Sequence, residues 1–347
     1  MRRLTGHDLW TVYRLQRRGV RLDLKGSVIR PAAPLALAFA SLLPVWGQRV
    51  ETVVLRRKER GKREAGFVQA RWRTGQPVLD VTFIAPSLDV QHGAAWLWQS
   101  MLQELVRGGG EQGAQRIFTH LPESRPAEVE VMRQAGFALY GQDRLYRFTP
   151  PAAGESSGSK GMPVHWQAQR PEDEWGLQKL YTEITPAVVQ QAENWGQVGN
   201  GSTTHVGWWG GPRRGSYVLR AEDEIYGYLR ITPGERGHWL KLVLHPEISQ
   251  DGETLLKEAM IFFTNLPRRP IFCDVRGYEG YLTDGLERCG FRRVMTRLLL
   301  VRHTTVPIRE PARRLIPAFE VETAPTVSTS RGEAFGHWFE ETPGCLR

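Results

Sequence analysis

Met132-Arg133-Gln134-Ala135-Gly136-Phe137 and, 154 residues further on, Leu286-Glu287-Arg288-Cys289-Gly290-Phe291 decide how this chain is read. Each stretch closes an amphipathic run on a small residue and a glycine, a common way for a helix to stop, and then opens a strand-like run on Phe. Outward from them, at the same shift and without a gap, Leu102, Glu104, Ile117, Phe118 and Leu145 fall on Leu256, Glu258, Ile271, Phe272 and Leu299. These identities sit at matching element boundaries, the pattern expected of a module written twice.

The rest of each half repeats one order. In the first, apolar spacing predicts helices over 9–17 and 35–43, then strands over 51–57, 64–73 and 78–84. A helix over 93–106 follows, with Leu97, Met101, Leu102 and Leu105 on one face, then a strand over 116–120, a helix over 127–134 and a strand over 140–148. In the second half the helix is 172–183 and the strands are 216–221, 224–232 and 238–245. They are followed by helix 253–263, strand 270–275, helix 280–288 and strand 294–302. Three successive strands and then helix, strand, helix, strand is an α+β order, with a mixed, mostly antiparallel sheet flanked by helices in each half. The expected division is a domain over 1–148, a linker over 149–161 (TPPAAGESSGSKG), a second domain over 162–303 and an extended tail over 304–347.

Composition narrows the function classes. Of 347 residues, 41% are hydrophobic and 24% charged, which suits buried cores and excludes wholesale disorder. No apolar run reaches the roughly 18 residues that cross a bilayer. Residues 31–46, interrupted by Pro34 and Pro44, read as a buried helix. The N-terminus shows no apolar signal core, and the three cysteines include no CxxC, so the expected compartment is the cytoplasm. The net charge of +9 is one-sided: residues 1–148 hold 23 Lys and Arg against 13 Asp and Glu, whereas residues 162–302 hold 17 of each. The first half would therefore draw an anionic partner: nucleic acid, a phosphorylated cofactor or an acidic surface. Its densest part, residues 56–63, reads as a solvated hairpin tip without interleaved aromatics for base stacking. The nine histidines and three cysteines show no metal spacing, and Gly108-Gly109-Gly110 reads as a helix end and loop.

The two Gly-Phe turns, together with Ile84-Ala85-Pro86 and Leu244-His245-Pro246-Glu247 at the ends of the fourth strands, give the chain a resemblance to the GCN5-related N-acetyltransferase (GNAT) superfamily, in tandem. That resemblance implies an acyl-CoA-dependent N-acetyltransferase that takes acetyl-CoA and a small-molecule or protein amine as acceptor. It also implies that the fourth and fifth strands of a working half splay apart, so that the pantetheine arm pairs with exposed main chain. In the family a Gln/Arg-x-x-Gly-x-Gly/Ala loop then holds the pyrophosphate, where glycine lets main-chain N–H groups approach and the helix N-terminus favours an anion. The first half offers Val90-Gln91-His92-Gly93-Ala94-Ala95, so Ile84, Ala85, Gln91, His92, Gly93, Ala94 and Ala95 are its candidate cofactor residues. The second half offers Ser249-Gln250-Asp251-Gly252-Glu253-Thr254, whose acids suit helix capping better than a pyrophosphate.

The chemistry is thinner. Many family members place a Tyr as acid four residues before the glycine of the Gly-Phe turn; here those positions are Met132 and Leu286. Asp80, in the first fourth strand, is the candidate base. Trp208 and Trp209, in a Gly-rich stretch, are candidate substrate-binding residues. Beside the transferase reading stand two others: a catalytically inactive scaffold that binds a protein, nucleic acid or small ligand, and an aminoacyl-tRNA-dependent transferase. The gap between the fourth and fifth strands separates them, since two closed gaps favour the scaffold.

Overall fold

Alternating β-branched and aromatic residues build an antiparallel ladder from Val50–Glu59 (β3), Lys62–Trp72 (β4) and Val78–Ala85 (β5). β3 and β4 pair from Val50↔Arg71 to Glu59↔Lys62, so the basic run 56–63 is largely strand. Ala94–Glu111 (α4) carries the chain back to Arg116–Pro122 (β6), parallel to β5, as a crossover of this kind requires. Pro126–Gln134 (α5) and Ala138–Phe148 (β7) complete the half. Before the ladder come Arg2–Arg3 (β1), Leu9–Leu15 (α1), Val20–Arg21 (β2), Leu24–Ile29 (α2) and Pro34–Ser41 (α3). This computed structural model describes residues 2–42, 49–59, 62–89, 94–151, 164–193, 215–221 and 224–304. All of them belong to one compact unit, Met1–Pro307.

The second half repeats the order. It runs Trp166–Ala168 (β8), Glu174–Ile184 (α6), Ala187–Glu193 (α7), Ser216–Ala221 (β9), Glu224–Thr232 (β10), His238–Leu244 (β11), Gly252–Ile261 (α8), Ile271–Arg276 (β12), Thr283–Arg288 (α9) and Arg292–His303 (β13). The stretch that opened the reading is built identically in both halves. Gly136 and Gly290 have φ of +83° and +84°, and the N–H groups of Phe137 and Phe291 each donate to the carbonyls of Met132 and Leu286 at 3.0 Å. This is the left-handed helix stop for which glycine is suited. A second correspondence lies near the start of each half. Thr5 and Arg170 donate their main-chain N–H to Asp8 and Asp173, which in turn receive Arg56 from β3 and Arg220 from β9.

Among the described residues the sheet runs β1-β3-β4-β5-β6-β13-β7-β12-β11-β10-β9-β8. The order is palindromic: the last strand of each half lies beside the fifth strand of the other. The cores follow the exchange. Leu300 of β13 packs into the first core with Leu97, Met101 and Ile117, while Tyr146, its counterpart at the 154-residue shift, packs into the second with Leu240, Leu256 and Ile271. β7 and β13 pair about Arg297↔Asp143, two positions that are also 154 apart. That pair therefore marks the pseudo-twofold axis.

Three local expectations change. Over its described part, 31–42, the segment expected as a buried helix holds α3 at 34–41, with Pro34 and Ala38 buried and Phe39 and Leu42 exposed, because α3 lies on the sheet by one narrow stripe; residues 43–46 lie outside the described residues. Gly108, Gly109 and Gly110 are helical, since α4 runs to Glu111, and a Cβ on Gly109 would come within 2.8 Å of the Leu79 side chain. The helix expected over 280–288 is a 3₁₀ stretch, Gly277–Leu282, followed by the short α9.

Candidate functional site

Both fourth strands part from their parallel partners after three residues. β5 pairs with β6 only over Val78–Asp80 and Arg116–Phe118, and β11 pairs with β12 only over His238–Leu240 and Ile271–Cys273. Beyond those points β5 continues to Ala85 and β11 to Leu244. A divergence of this kind frees a row of main-chain N–H and C=O groups that need partners.

In the first half the partner is the chain itself. β4 takes one edge of β5, and β2 takes the edge that β6 leaves, pairing Val20↔Ile84 and Arg21↔Phe83. The Leu22 N–H donates to the Thr82 carbonyl at 2.9 Å, and the Ser87 N–H donates to the Arg18 carbonyl at 2.7 Å. The following carbonyl, Pro86, accepts from the buried Trp98 indole at 2.7 Å. Residues 18–23 thus form a strap along the edge. Gly19 lets it lie close, since a Cβ there would fall 2.6 Å from the Ile84 carbonyl oxygen and 2.4 Å from the Phe83 ring.

The second gap is bridged at one point. The Tyr281 hydroxyl donates to the Leu244 carbonyl at 2.5 Å, and the buried Cys273, register partner of Leu240, carries its thiol at the point where the strands part. Burial pushes that thiol up. At the start of α8, Glu253 is held by Lys257 at 2.6 Å and by Arg288 at 2.8 Å. Its carboxyl is lowered by the Lys257 hydrogen bond first. Glu253 is thus engaged by ion pairs, and Asp251, at the N-cap of α8, makes no side-chain capping bond.

On the face away from α4 and α8, buried and half-buried charges gather about the pseudo-twofold axis. Asp80 receives Arg73 through both oxygens, at 2.8 and 2.7 Å, and the guanidinium lies over Phe118. Burial works against the Asp80 carboxylate, but Arg73 outweighs it and holds the carboxyl below its usual value. His120, two residues beyond the splay on β6, is pushed down to about 4 by burial and then by the Arg297 guanidinium, so it is neutral at pH 7. Arg297 and Asp143 are bidentate at 2.8 and 2.6 Å and only 5% and 1% exposed. Arg276 meets Glu193 at 2.7 Å, and Lys241 meets the fully buried Glu279 at 3.3 Å. The arrangement fixes charges in pairs, which suits a rigid polar core better than proton transfer.

The candidate residues of the sequence separate accordingly. Ile84 and Ala85 are buried at the end of β5, with Ile84 against the strap, and Ala95 is exposed in the first turn of α4. Gln91, His92, Gly93, Trp208 and Trp209 lie outside the described residues, as does the Ala94 side chain. Asp80 is in place at the splay but is engaged by Arg73. Met132 and Leu286 are buried in the two cores, where neither donates a proton. Sequence reasoning missed the strap and Tyr281. The first carries a faint signal, alternation over Gly19-Val20-Arg21-Leu22 after a helix, and the second carries none.

No family model matches the chain, and no curated protein matches it. Solved structures of similar shape include a tandem GNAT protein from the clavulanic acid biosynthesis pathway, 13% identical with a TM-score of 0.48, covering 87% of this chain and 97% of that one. A GCN5-related N-acetyltransferase from Sphaerobacter thermophilus is 13% identical with a TM-score of 0.46, covering 82% and 96%. A putative acetyltransferase from Pyrococcus horikoshii is 10% identical with a TM-score of 0.43, covering 88% and 89%. The fold is read from strand order and register rather than from these likenesses.

Proposed function

We propose that this chain is a tandem GNAT-superfamily protein that binds a ligand and does not transfer an acetyl group. The observation that carries the reading is that both freed edges are already bonded: main-chain groups that would pair with a pantetheine arm are bonded to β2 in one half and, at Leu244, to Tyr281 in the other. Among the described residues, the edges of β5 and β11 do not fit the pantetheine arm of acetyl-CoA. A ligand must displace an existing hydrogen bond at each of these edges, and an unmade buried bond costs about 1–3 kcal/mol. The paired Asp80 and the apolar Met132 and Leu286 support the same reading. Among the described residues no helix is long and apolar enough to cross a membrane.

The test is a thermal melt of the full chain with and without acetyl-CoA, beside a thiol-release assay over a panel of primary amines. No shift and no thiol are expected. A ligand of the native state at a hundred times its Kd would stabilise by about 2.7 kcal/mol, so a clear rise in Tm with acetyl-CoA overturns the reading. A second reading, an acyltransferase whose strap yields to cofactor, is favoured by the identical splay of both strand pairs and by the shortness of β2. It expects the rise in Tm and amine-dependent thiol release.

A further inference from the structure

A cavity of about 690 Å³ lies between α2 and α3 over β4 and β5. That volume is in the usual range for a small-molecule site, about 300–1,000 Å³. The lining mixes apolar residues, Ile29, Leu37, Ala40, Val50 and Phe83, with charged ones, Arg21, Lys25, Arg30, Arg71, Asp23 and Glu235. Asp23 and Arg71 offset one another at 2.6 Å, with the Gly26 N–H on the other Asp23 oxygen at 2.7 Å, which leaves Arg21, Lys25 and Arg30 against Glu235.

The floor is Gln69, fully buried on β4. Its amide nitrogen donates to the Pro34 carbonyl at 2.8 Å and faces the Thr52 hydroxyl at 3.3 Å, which fixes the amide, while its carbonyl oxygen has no partner among the described residues. A buried acceptor left unbonded is unfavourable, and this one is sealed beneath the cavity. The cavity wall is held from the other half as well: the Glu235 and Arg236 main-chain amides cap the last carbonyls of α2, Ile29 and Val28, at 2.9 and 3.0 Å.

We propose that this cavity binds a small amphipathic oxyanion: a carboxylate or phosphate head at Arg21 and Arg30, and an apolar body along Leu37 and Ala40 of α3. Arginine forks suit either oxyanion. The proposal rests on the binding reading above, yet the two fail separately, because acetyl-CoA binding is read at the strand gaps and oxyanion binding at this cavity.

The test is calorimetric titration of the full chain with N-acetyl-L-leucine and, in parallel, with n-butyl phosphate, using N-acetyl-L-leucinamide as the uncharged control. Saturable binding of at least one acid, at least tenfold tighter than the amide, is expected. Arg21→Gln, whose side chain is exposed, should weaken the acid at least fivefold without changing the melt. Arg30→Gln, also at an exposed residue of the lining, should weaken the acid likewise. Absence of saturable binding by both acids, equal binding of acid and amide, or acid binding indifferent to both arginine substitutions overturns the proposal.

Discussion

At the scale of single residues the pseudo-twofold axis is the most informative place. Asp143 and Arg297 are each other's counterparts, and they face one another in the β7–β13 ladder. In a symmetric pair of identical modules that position would meet itself, setting two carboxylates or two guanidinium groups together in a buried site, which is strongly unfavourable. Only a chain in which the copies have diverged can place opposite charges there. Breaking a buried pair by removing one partner costs about 3–5 kcal/mol. Arg297→Asp should therefore unfold the protein at markedly lower denaturant, and the exchange Asp143→Arg with Arg297→Asp should recover most of the loss. Equal stability of the single and double variants in urea titration would contradict the pairing. His120 gives a pH test at the same scale. Its native value of about 4, against 6.5 for the ordinary imidazole, reflects burial, then Arg297, with Asp143 and Asp80 opposing and Arg276 assisting. The unfolded chain takes up the proton first as pH falls, so the stability linked to His120 is complete above 6.5 and is lost toward pH 4. By the usual conversion of about 1.4 kcal/mol per pKa unit, this amounts to at most about 3.5 kcal/mol. His120→Gln should flatten the urea midpoint between pH 6.5 and 4; an unchanged slope would remove His120 from the acid response.

At the scale of elements, most of the order was legible because it depends on local periodicity. The strands β3, β4, β5, β9 and β10 and the helices α4, α5 and α8 lie within a few residues of where apolar spacing places them. Two features escaped for a physical reason: their partners are distant in sequence. β2 is two residues long and is a strand only because β5 offers an edge, and Tyr281 bridges a gap 37 residues away. The Asp80 pairing was within reach, since Arg73 stands just across the turn that joins β4 to β5 and donates its N–H to the Val78 carbonyl. The strap makes a test of its own. Gly19→Ala puts a Cβ into the Ile84 carbonyl, and overpacking of this kind costs about 1–3 kcal/mol. Hydrogen exchange should quicken at the Leu22 and Ser87 amides, while the β3–β4 ladder keeps its protection. Protection unchanged at Leu22 would mean that the strap is not held by close approach at Gly19.

At the scale of the whole molecule the two halves are one structure by exchange rather than by contact alone. A boundary at 148 is visible in composition, yet the fifth strand of each half finds its neighbour in the other: β6 pairs with β13 from Pro122↔Arg297 to Arg116↔His303, and β12 pairs with β7 from Ile271↔Phe148 to Arg276↔Asp143. Periodicity assigns a strand but does not choose between two equivalent partners, which is why the exchange could not be read from the sequence. Its consequence is energetic. A half expressed alone keeps its own last strand, but that strand lacks the partner strand that lies between it and its fifth strand, and each core loses the side chain the other half lends it, Leu300 or Tyr146. Removing a buried Leu from such a core costs about 2–5 kcal/mol even before an unpaired edge is counted, a large share of the stability of any domain. Residues 1–148 and 162–303 produced separately should therefore show poor cooperativity and exposed strand edges by circular dichroism and light scattering. Mixed at equal concentration, they should form a one-to-one complex that melts as a single transition near that of the intact chain. Two halves that each unfold cooperatively alone, and ignore one another when mixed, would show that the exchanged strands are not what joins them.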